Sequence, residues 1–379
     1  MNETTRSPWR LALFLATSGH SGVDRIMKNF IGALAKRPVR ADLLHVHGHG
    51  PYLDRVPARV RVVSLGTRHV QSSLFKLARY LRTERPDALL CDKDRVNRTA
   101  LLAAAMAGYQ GRVVVRLGTT VSKNLENRGL VHRTMQYWSI RHLYARAHAV
   151  AVPSHGAAED LHTIASFPPG FVRVLPSPVV SDTIHTLGRE PIHHPWFAPD
   201  APPVILGAGE LCERKDFATL MRAFAALSHH TECRLVILGK GKKRQALEKL
   251  AHELGIADRV WFPGFVHNPY AYMAKSRLFV LSSTCEGLPV VLMEAMALGI
   301  PVVSTDCPSG PREILDHGRY GPLVPVKSWN QLAEAMARVL AEPPEKEELM
   351  TAVSRYHVPS ATDAYLQLLG YHASLSSTS

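Results

Sequence analysis

The stretch LFVLSSTCEGLPVVLMEAMALGIPVVS, residues 278–304, decides how the rest of the chain is interpreted. An apolar run ends at Leu281, a short polar loop follows, and a mostly apolar segment with helical spacing leads to Gly299 and a second apolar run. Strand, loop, helix and strand in this order form the unit from which parallel sheets covered by helices are built. The segment therefore predicts an α/β fold with a parallel sheet.

The same alternation runs through the whole chain. We predict strands near residues 10–17, 41–47, 59–65, 87–91, 112–117, 148–153, 171–175, 203–208, 233–238, 259–262, 277–282, 301–304 and 322–326. The length of 379 residues exceeds one ordinary core and suits two domains of about 180 residues each. We expect two doubly wound, Rossmann-like domains facing each other across a cleft, with ligands beyond the carboxyl ends of the strands.

Proline interrupts this rhythm between residues 181 and 203. The segment contains five prolines and shows no period, which is typical of an interdomain linker. We therefore predict a first domain over residues 1–185, a Pro-rich linker over 186–203 and a second domain over 204–358. Residues 359–379 are predicted to form a helix that returns toward the first domain, followed by a tail.

Composition places the chain among globular proteins, with 46% hydrophobic and 20% charged residues. No apolar run approaches the ~18–20 residues that span a bilayer. The early apolar run 11–16 is shorter than a signal-peptide core of about 7–15 residues, and a buried first strand explains it better. The five cysteines are scattered and odd in number, which indicates reduced thiols. We expect a cytoplasmic protein.

Charge is distributed unevenly along the chain. Residues 1–185 contain 26 Lys and Arg against 12 Asp and Glu, a net charge of +14, whereas the remainder has 19 against 20. Either the first half has arginine-rich helices facing solvent, or it meets an anionic partner such as a membrane surface, a lipid-linked phosphate or nucleic acid. Residues 128–146 carry four arginines with Tyr137, Trp138, Leu143 and Tyr144 between them. This pattern suits a membrane interface, although helical spacing also fits core aromatics.

Two glutamates stand out in the opening stretch. Glu286 lies in the loop, and Glu294 lies eight residues later inside a helix that we expect to open near Leu288 and Pro289. A rise of ~1.5 Å per residue separates the two carboxylates by roughly 12 Å, too far for the acid/base pair of a glycosidase. The spacing fits two contacts on one long ligand, and the free amides at the helix start suit a phosphate.

Residues 278–304, with Glu286 and Glu294, resemble the corresponding segment of the retaining glycosyltransferases of family four, which have the GT-B fold. The likeness rests on Glu286, seven residues and Glu294, with Gly-Leu-Pro after the first and Ala-Met-Ala-x-Gly-x-Pro-Val-Val after the second. The resemblance implies that Glu286 is catalytic and contacts the transferred sugar. It implies that amides of Gly287 and Leu288 hold sugar or diphosphate, and that Glu294 binds the ribose hydroxyls.

A second loop strengthens the resemblance. Residues 207–217, GAGELCERKDF, are similar to the family's Gly-Arg-Leu-x-x-x-Lys loop, whose basic residues neutralise the donor diphosphate. Lys215 matches the family lysine, and Arg214 adds a second cation. The sequence departs from the family at Glu210, where many members have arginine, so Lys215 and Arg214 would have to neutralise the phosphates without it.

Three further loops are similar to family segments. After the first strand, the loop with Gly22 and Asp24 resembles a Gly-Gly-x-Glu-Arg loop near donor phosphate and acceptor, although a purely structural turn also explains it. Main-chain groups around Val266 would meet the nucleobase. Relatives carry a histidine near the reacting sugar at the position that Gly118 occupies here, and we assign no catalytic role there.

The resemblance implies a retaining transferase that moves a hexose or N-acetylhexosamine from a nucleotide sugar, most simply UDP-linked, to a glycan or lipid-linked acceptor in polysaccharide or glycoconjugate biosynthesis. Segments 305–315 and 319–325 look like a subgroup with N-acetylhexosamine transferases of surface-polysaccharide and lipid-linked-oligosaccharide synthesis. We expect no cofactor and no metal, since the Lys215 loop and helix-start amides supply positive charge and no Asp-x-Asp pair accompanies them.

Two rival classes remain open. A nucleotide-sugar epimerase or a phosphorylase could use the same architecture, although neither an acid/base set nor a lysine in a pyridoxal phosphate context stands out. A basic nucleic-acid-binding protein is suggested by charge alone, and the aromatic content of 7% and the lack of a known module argue against it. We therefore expect no nucleic acid partner, and a cytoplasmic location that is peripheral on the inner face of the cell membrane.

Overall fold

A computed structural model describes residues 9–19, 22–126 and 128–372. Within these residues the first sheet has seven parallel strands in the order β3-β2-β1-β4-β5-β6-β7. They are β1 (Trp9–Leu15), β2 (Val39–His45), β3 (Val60–Ser64), β4 (Ala88–Asp92), β5 (Arg112–Arg116), β6 (Ala149–Val152) and β7 (Val172–Val174). β4 is buried at every residue, as expected for a strand in a parallel sheet covered on both faces.

Helices alternate with these strands. They are α1 (Gly22–Leu34), α2 (Leu74–Glu84), α3 (Asp94–Ala107), α4 (Val121–Leu125), α5 (Leu130–His142) and α6 (His155–Ile164). A 3₁₀ turn, Tyr144–Arg146, follows α5, which ends at His142. Gly22 and Asp24, which the sequence placed in a loop after the first strand, belong to the first turn of α1.

The second sheet, within the fully described residues 180–357, has six parallel strands in the order β10-β9-β8-β11-β12-β13. They are β8 (Val204–Ala208), β9 (Arg234–Leu238), β10 (Val260–Gly264), β11 (Leu278–Leu281), β12 (Val302–Thr305) and β13 (Leu323–Val324). The helices are α7 (Thr183–Gly188), α8 (Phe217–Leu227), α9 (Arg244–Glu253), α10 (Pro269–Ala274), α11 (Val290–Ala297), α12 (Pro311–Ile314), α13 (Trp329–Ala341) and α14 (Lys346–Ala352). The predicted α/β class is confirmed, and each predicted strand overlaps an observed one.

Strand order identifies where each sheet offers a ligand site. The order reverses at β1, which lies between β2 and β4, and again at β8, which lies between β9 and β11. Ligands in open parallel sheets bind beyond the carboxyl ends of the strands at such a reversal, because the loops there diverge. In the second sheet, the fold therefore places a candidate site at the loops that follow β8 and β11.

The chain divides into two compact units whose boundaries differ from the predicted domains. The first unit comprises residues 1–179 and 358–379, and the second comprises 180–357. The last helix, α15 (Val358–Leu368), belongs to the first unit and packs on α1, where the rings of Phe30 and Tyr365 meet edge to face at 5.7 Å. The predicted tail after residue 372 lies outside the described residues.

The predicted linker is part of the second unit. The side-chain amide of Asn268, at the start of α10, donates to the Leu187 carbonyl and to Glu190 at 2.9 and 2.7 Å. The ring of His194 stacks on Trp261 of β10, with centroids 3.8 Å apart. Aromatic stacking and amide hydrogen bonds fasten residues 186–203 to the domain surface, so the Pro-rich composition was misleading here.

A buried ion pair ties α15 to the sheet of the first unit. Arg116, at the end of β5, donates through Nη1 to both carboxylate oxygens of Asp92, at the end of β4, at 3.1 and 3.2 Å. Its Nε donates to the Tyr365 hydroxyl of α15 at 3.0 Å, and its Nη2 donates to Ser177 at 3.2 Å. A fully buried guanidinium requires such compensation, because burying a charge without a partner is very unfavourable.

We expect Asp92→Ala to lower the free energy of unfolding by about 3–5 kcal/mol, because Arg116 would remain buried without its counter-charge. Urea denaturation followed by circular dichroism measures the change as a lower midpoint. Glu126→Ala, which removes the carboxylate of an exposed pair with Lys123 in the same unit, should leave the midpoint close to that of the parent protein. Equal losses in both variants would contradict this assignment.

Candidate active site

Glu286 lies at the reversal point of the second sheet, in the loop that follows β11, and is almost fully buried. Its Oε1 accepts a hydrogen bond from Lys215 Nζ at 2.6 Å and another from Ser283 Oγ at 2.7 Å. Its Oε2 accepts one from Arg214 Nη1 at 3.0 Å. The structure thus joins Glu286, Lys215 and Arg214, which the sequence placed in two separate motifs, into one charged cluster.

The cluster keeps Glu286 ionised. Burial alone would raise the pKa of this carboxyl, but the positive charges of Lys215 and Arg214 and the hydrogen bonds from Lys215 and Ser283 hold the pKa below its usual value. Burial acts to lower the pKa of Arg214, but the charge of Glu286 and its hydrogen bond, together with smaller effects of nearby cysteines, leave that pKa raised. The site therefore presents a buried carboxylate between two permanent cations.

Backbone geometry positions Lys215 for this contact. The loop after β8 tightens into a 3₁₀ turn, Glu213–Lys215, and ends at Asp216, whose left-handed backbone and side chain cap the start of α8. The Asp216 carboxylate accepts from the Thr219 amide at 3.3 Å, and Ser282 Oγ donates to the Lys215 carbonyl at 2.9 Å. The Lys215 amide donates to the Cys212 carbonyl at 3.2 Å, so both backbone polar groups of the lysine are hydrogen-bonded.

Gly209 and Gly239 allow the loops after β8 and β9 to pack against each other and against the Lys215 side chain. A β-carbon at Gly209 would lie 2.9 Å from Cε of Lys215, so any side chain there would displace the lysine. A β-carbon at Gly239 would lie 1.8 Å from the Gly209 carbonyl oxygen, which forbids every other residue at that position. The loops after β8 and β9 therefore approach each other backbone to backbone.

Gly287 and Leu288 follow Glu286 in the loop, and α11 begins at Val290. The predicted helix start near Leu288 and Pro289 is confirmed to within two residues, and Pro289 is the N-cap residue, with an extended backbone, just outside the helix. Ser309 Oγ donates to the Gly287 carbonyl at 3.2 Å, and a β-carbon at Gly310 would lie 2.5 Å from the Pro289 ring. The loop after β12 thus braces the segment that precedes α11.

Glu294 is fully buried in α11, whereas a glutamate on a helix is ordinarily exposed to solvent. Its Oε1 accepts a hydrogen bond from the Tyr270 hydroxyl of α10 at 3.0 Å. The sequence offered no signal for this tyrosine, because the contact joins residues 24 positions apart on two successive helices that share no motif. Val266 is half-buried and lines a groove with Asn268 and Tyr272, where a planar group could stack.

The glycine loop of the first unit is engaged in local contacts. Asp24, in the first turn of α1, is buried and accepts hydrogen bonds from the Thr17 hydroxyl and from the Gly19 amide, the latter at 3.0 Å. Gly22 begins α1, and residues 20 and 21 of the predicted motif lie outside the described residues. The carboxylate of Asp24 folds its own loop, which is the structural role that the sequence left open, and its proposed approach to ligand stays a prediction.

Two departures from the family pattern acquire physical explanations. A β-carbon at Gly118 would lie 3.1 Å from Nη1 of Arg116, so the ion pair with Asp92 occupies the space that a larger side chain would need. Glu210 is exposed, so its carboxylate bears no burial penalty.

An Asp-x-Asp triplet does occur elsewhere, at Asp92-Lys93-Asp94, and sequence reasoning passed over it. Asp92 pairs with Arg116. Asp94 accepts from the Tyr144 hydroxyl at 3.0 Å and pairs with Arg98 at 3.0 Å, and burial raises its pKa. Both carboxylates therefore serve contacts inside the first unit.

Two protein-family models match this sequence, one in each unit. The family model described as glycosyl transferases group 1 matches residues 188–355, and the model described as glycosyltransferase family 4 matches residues 20–183. Together the two models cover both units.

Among curated relatives, one of Campylobacter jejuni is 34% identical over 66% of this chain and 66% of its own length. It is named N-acetylgalactosamine-N,N'-diacetylbacillosaminyl-diphospho-undecaprenol 4-alpha-N-acetylgalactosaminyltransferase. A lipopolysaccharide core biosynthesis glycosyltransferase of Rhizobium meliloti is 28% identical over 92% of this chain and 95% of its own length.

Solved structures show the same fold. A lipopolysaccharide outer core galactosyltransferase superposes with a TM-score of 0.72 at 19% identity, covering 95% of this chain and 99% of its own. An Anabaena protein in complex with UDP and glucose superposes with a TM-score of 0.74 at 18% identity, covering 96% and 99%. The fold is therefore the GT-B fold.

We expect Lys215→Met to destabilise the protein most at neutral pH. In the parent protein the lowered pKa of Glu286 contributes stability above the unfolded-state pKa, and this stability is lost as pH falls through the folded-state pKa. Without the lysine charge, burial dominates and raises the pKa, so ionised Glu286 opposes folding at neutral pH and protonation relieves it. Denaturation midpoints at neutral and mildly acidic pH measure the difference.

Two variants control this experiment. Lys215→Arg retains the charge and should show a much smaller neutral-pH loss, whereas Lys249→Met removes an exposed lysine from α9 and should change little. A gap between Lys215→Met and the parent protein that does not narrow on acidification would show that the lysine acts by packing alone.

Proposed function

Because this chain belongs to the glycosyltransferases of family four, we propose that it is a retaining enzyme that moves a hexose or N-acetylhexosamine from a nucleotide sugar to a glycan or lipid-linked acceptor. The chain is a glycosyltransferase, with a family model matching each of its two units. The observation that carries the finer proposal is the burial of Glu286 between Lys215 and Arg214 at the reversal point of the second sheet.

The cations suit the diphosphate of the donor. A lysine ammonium has three N–H donors and a guanidinium has five, so each can keep its contact with Glu286 and also bind phosphate oxygens. Negative charge grows on the departing nucleoside diphosphate as the bond to the sugar breaks. Lys215 and Arg214 would stabilise that charge most in the transition state, which accelerates the chemical step.

Glu286 would meet the transferred sugar. An ionised carboxylate accepts hydrogen bonds from sugar hydroxyls, and the lowered pKa keeps it an acceptor throughout the physiological range. The amides of Gly287 and Leu288 lie outside α11, in the loop that precedes it, and would donate to sugar or phosphate from there. Glu294, oriented by Tyr270, would bind the ribose hydroxyls, and the groove at Val266 would take the base.

The names of relatives narrow the substrates. One relative acts on a diphospho-undecaprenol-linked acceptor, others take part in lipopolysaccharide core synthesis, and one structural neighbour was solved with UDP and glucose. We infer a UDP-linked donor and a lipid-linked glycan acceptor in cell-surface polysaccharide biosynthesis, with the enzyme acting in the cytoplasm. Within the described residues, no helix combines the length and apolarity needed to cross a membrane.

The rival activities differ in what they release. A transferase releases UDP only when an acceptor is present, apart from slow hydrolysis, whereas an epimerase isomerises the donor without releasing UDP. A phosphorylase would require inorganic phosphate. Measuring UDP and glycan product with and without acceptor extracts, and with and without phosphate, therefore tests the proposal.

We expect substitutions of Glu286 and Glu294 to affect different quantities, kcat for the first and the donor Kd for the second. Glu286→Gln should lower kcat by roughly 10²–10³-fold with a small change in donor Kd, because its contact strengthens in the transition state. Glu294→Gln should raise the donor Kd by about 10- to 150-fold with a smaller effect on kcat, since charge-assisted hydrogen bonds contribute about 1.5–3 kcal/mol. Isothermal titration with donor and steady-state kinetics measure both quantities.

Tyr270→Phe supplies the matched test for Glu294. It removes only the hydroxyl that orients the carboxylate, so it should raise Kd less than Glu294→Gln and leave kcat nearly unchanged. If both glutamate variants lose only donor affinity, and by similar factors, the division of roles is wrong.

We expect transfer to proceed without a divalent metal, because Lys215, Arg214 and the loop amides supply the positive charge that a metal supplies in other transferases. Product formation after exhaustive treatment with EDTA should equal that of untreated enzyme. Loss of turnover that only a divalent ion restores would contradict this expectation.

A further inference from the structure

The start of α5 projects into solvent on every side. All eight residues from Arg128 to Met135 are exposed, and the helix first buries a side chain at Gln136. Helices in globular domains usually bury one apolar stripe along their whole length. The first turns of α5 have no such stripe against their own domain, so they form a tip that stands clear of it.

The tip is apolar where a solvent-exposed helix should be polar. Leu130 and Val131 are 76% and 84% exposed, and Met135 and Trp138 follow on the same helix at about half exposure. Single exposed apolar side chains are normal on a protein surface, but four on one helix form a patch.

Helical spacing shows that α5 has two apolar faces. Ile140 and Tyr144 are fully buried and Tyr137 packs against the core, so these residues form the inner stripe. Val131, Met135 and Trp138 are spaced by four and three residues and lie on nearly the opposite side of the helix. The interleaved aromatics expected at an interface are therefore core in the case of Tyr137 and Tyr144, and only Trp138 is exposed. A second apolar stripe requires a second partner.

Charge identifies that partner. Residues 128–146 contain no Asp or Glu, and Arg128 and Arg133 flank the two most exposed apolar residues. Arg133 also lies 5.8 Å from the Tyr137 ring. The surrounding half of the chain, residues 1–185, has a net charge of +14. Apolar side chains bordered by arginines, without carboxylates, match the acyl boundary and the phosphates of an anionic bilayer.

We propose that the amino-terminal end of α5 inserts into an anionic lipid bilayer, with Leu130 and Val131 among the acyl chains, Trp138 at the level of the headgroups, and Arg128 and Arg133 on lipid phosphates. Tryptophan favours this depth because its ring is amphipathic. The attraction of the arginines is screened within ~8 Å at physiological salt, so binding is reversible and salt-sensitive. This inference deepens the proposed function, on which the choice of a lipid occupant partly rests.

Co-sedimentation with vesicles tests it. The full-length protein should pellet with vesicles of phosphatidylcholine and phosphatidylglycerol and remain in the supernatant with phosphatidylcholine alone. The double variant Leu130→Ser/Val131→Ser should reduce partitioning about tenfold or more, since burial of an aliphatic side chain is strongly favourable. Arg128→Glu/Arg133→Glu should abolish the preference for anionic lipid.

Matched controls use exposed residues of α2 in the same unit. Phe75→Ser removes an equally exposed apolar side chain, and Arg79→Glu reverses an exposed charge, so neither should change partitioning by more than about twofold. All variants should retain the circular dichroism and the slow donor hydrolysis of the parent protein. That second readout separates failure of the docking surface from failure of the proposed enzymatic activity.

Three outcomes would overturn the proposal. They are equal partitioning onto neutral and anionic vesicles, no partitioning onto either, and unchanged partitioning of the Leu130→Ser/Val131→Ser variant. Sedimentation velocity adds one more: if the parent protein dimerises and the double variant is monomeric with unchanged vesicle binding, the tip contacts a second copy of this chain instead of lipid.

Discussion

A buried carboxylate between two cations is the constraint on which the second unit depends. Glu286 can remain ionised away from water only because Lys215 and Arg214 reach it from the loop after β8. The loop after β8 carries the two cations and the loop after β11 carries Glu286. These two strands are neighbours in the parallel sheet, so the strand order brings the two loops together. Gly209 leaves room for the lysine side chain, because a β-carbon there would lie 2.9 Å from Cε of Lys215.

The two units share a topology and use it differently. In the first unit, the charges at the carboxyl edge are satisfied internally: Asp92 binds Arg116, and Asp24 binds its own loop. Arg116 also reaches α15, so this ion pair fastens the end of the chain to the sheet. In the second unit the same edge holds cations with spare donors, which suits binding of an anionic donor.

Local patterns in the sequence predicted the strands, the fold class and the separate motifs of Glu286 and Lys215. They did not predict that these two side chains pair, nor the roles of Tyr270 and Arg116, because these contacts join residues that are 24 or more positions apart in the chain. Composition misled at residues 186–203, where prolines indicated a linker but aromatic side chains pack on Trp261. The start of α11 was predicted to within two residues, which is the usual uncertainty of helix boundaries.

The helix α5 shows why the sequence left two interpretations open. Its apolar residues form two stripes on different faces of the helix, each with helical spacing, so the sequence pattern does not tell which stripe faces the core. The structure resolves the ambiguity: the stripe with Ile140 and Tyr144 is buried, and the stripe with Val131 and Trp138 is exposed. A soluble helix gains nothing from exposing a second apolar stripe, since that stripe favours aggregation. Its presence beside arginines, on the more basic unit, is understandable if another apolar phase covers it.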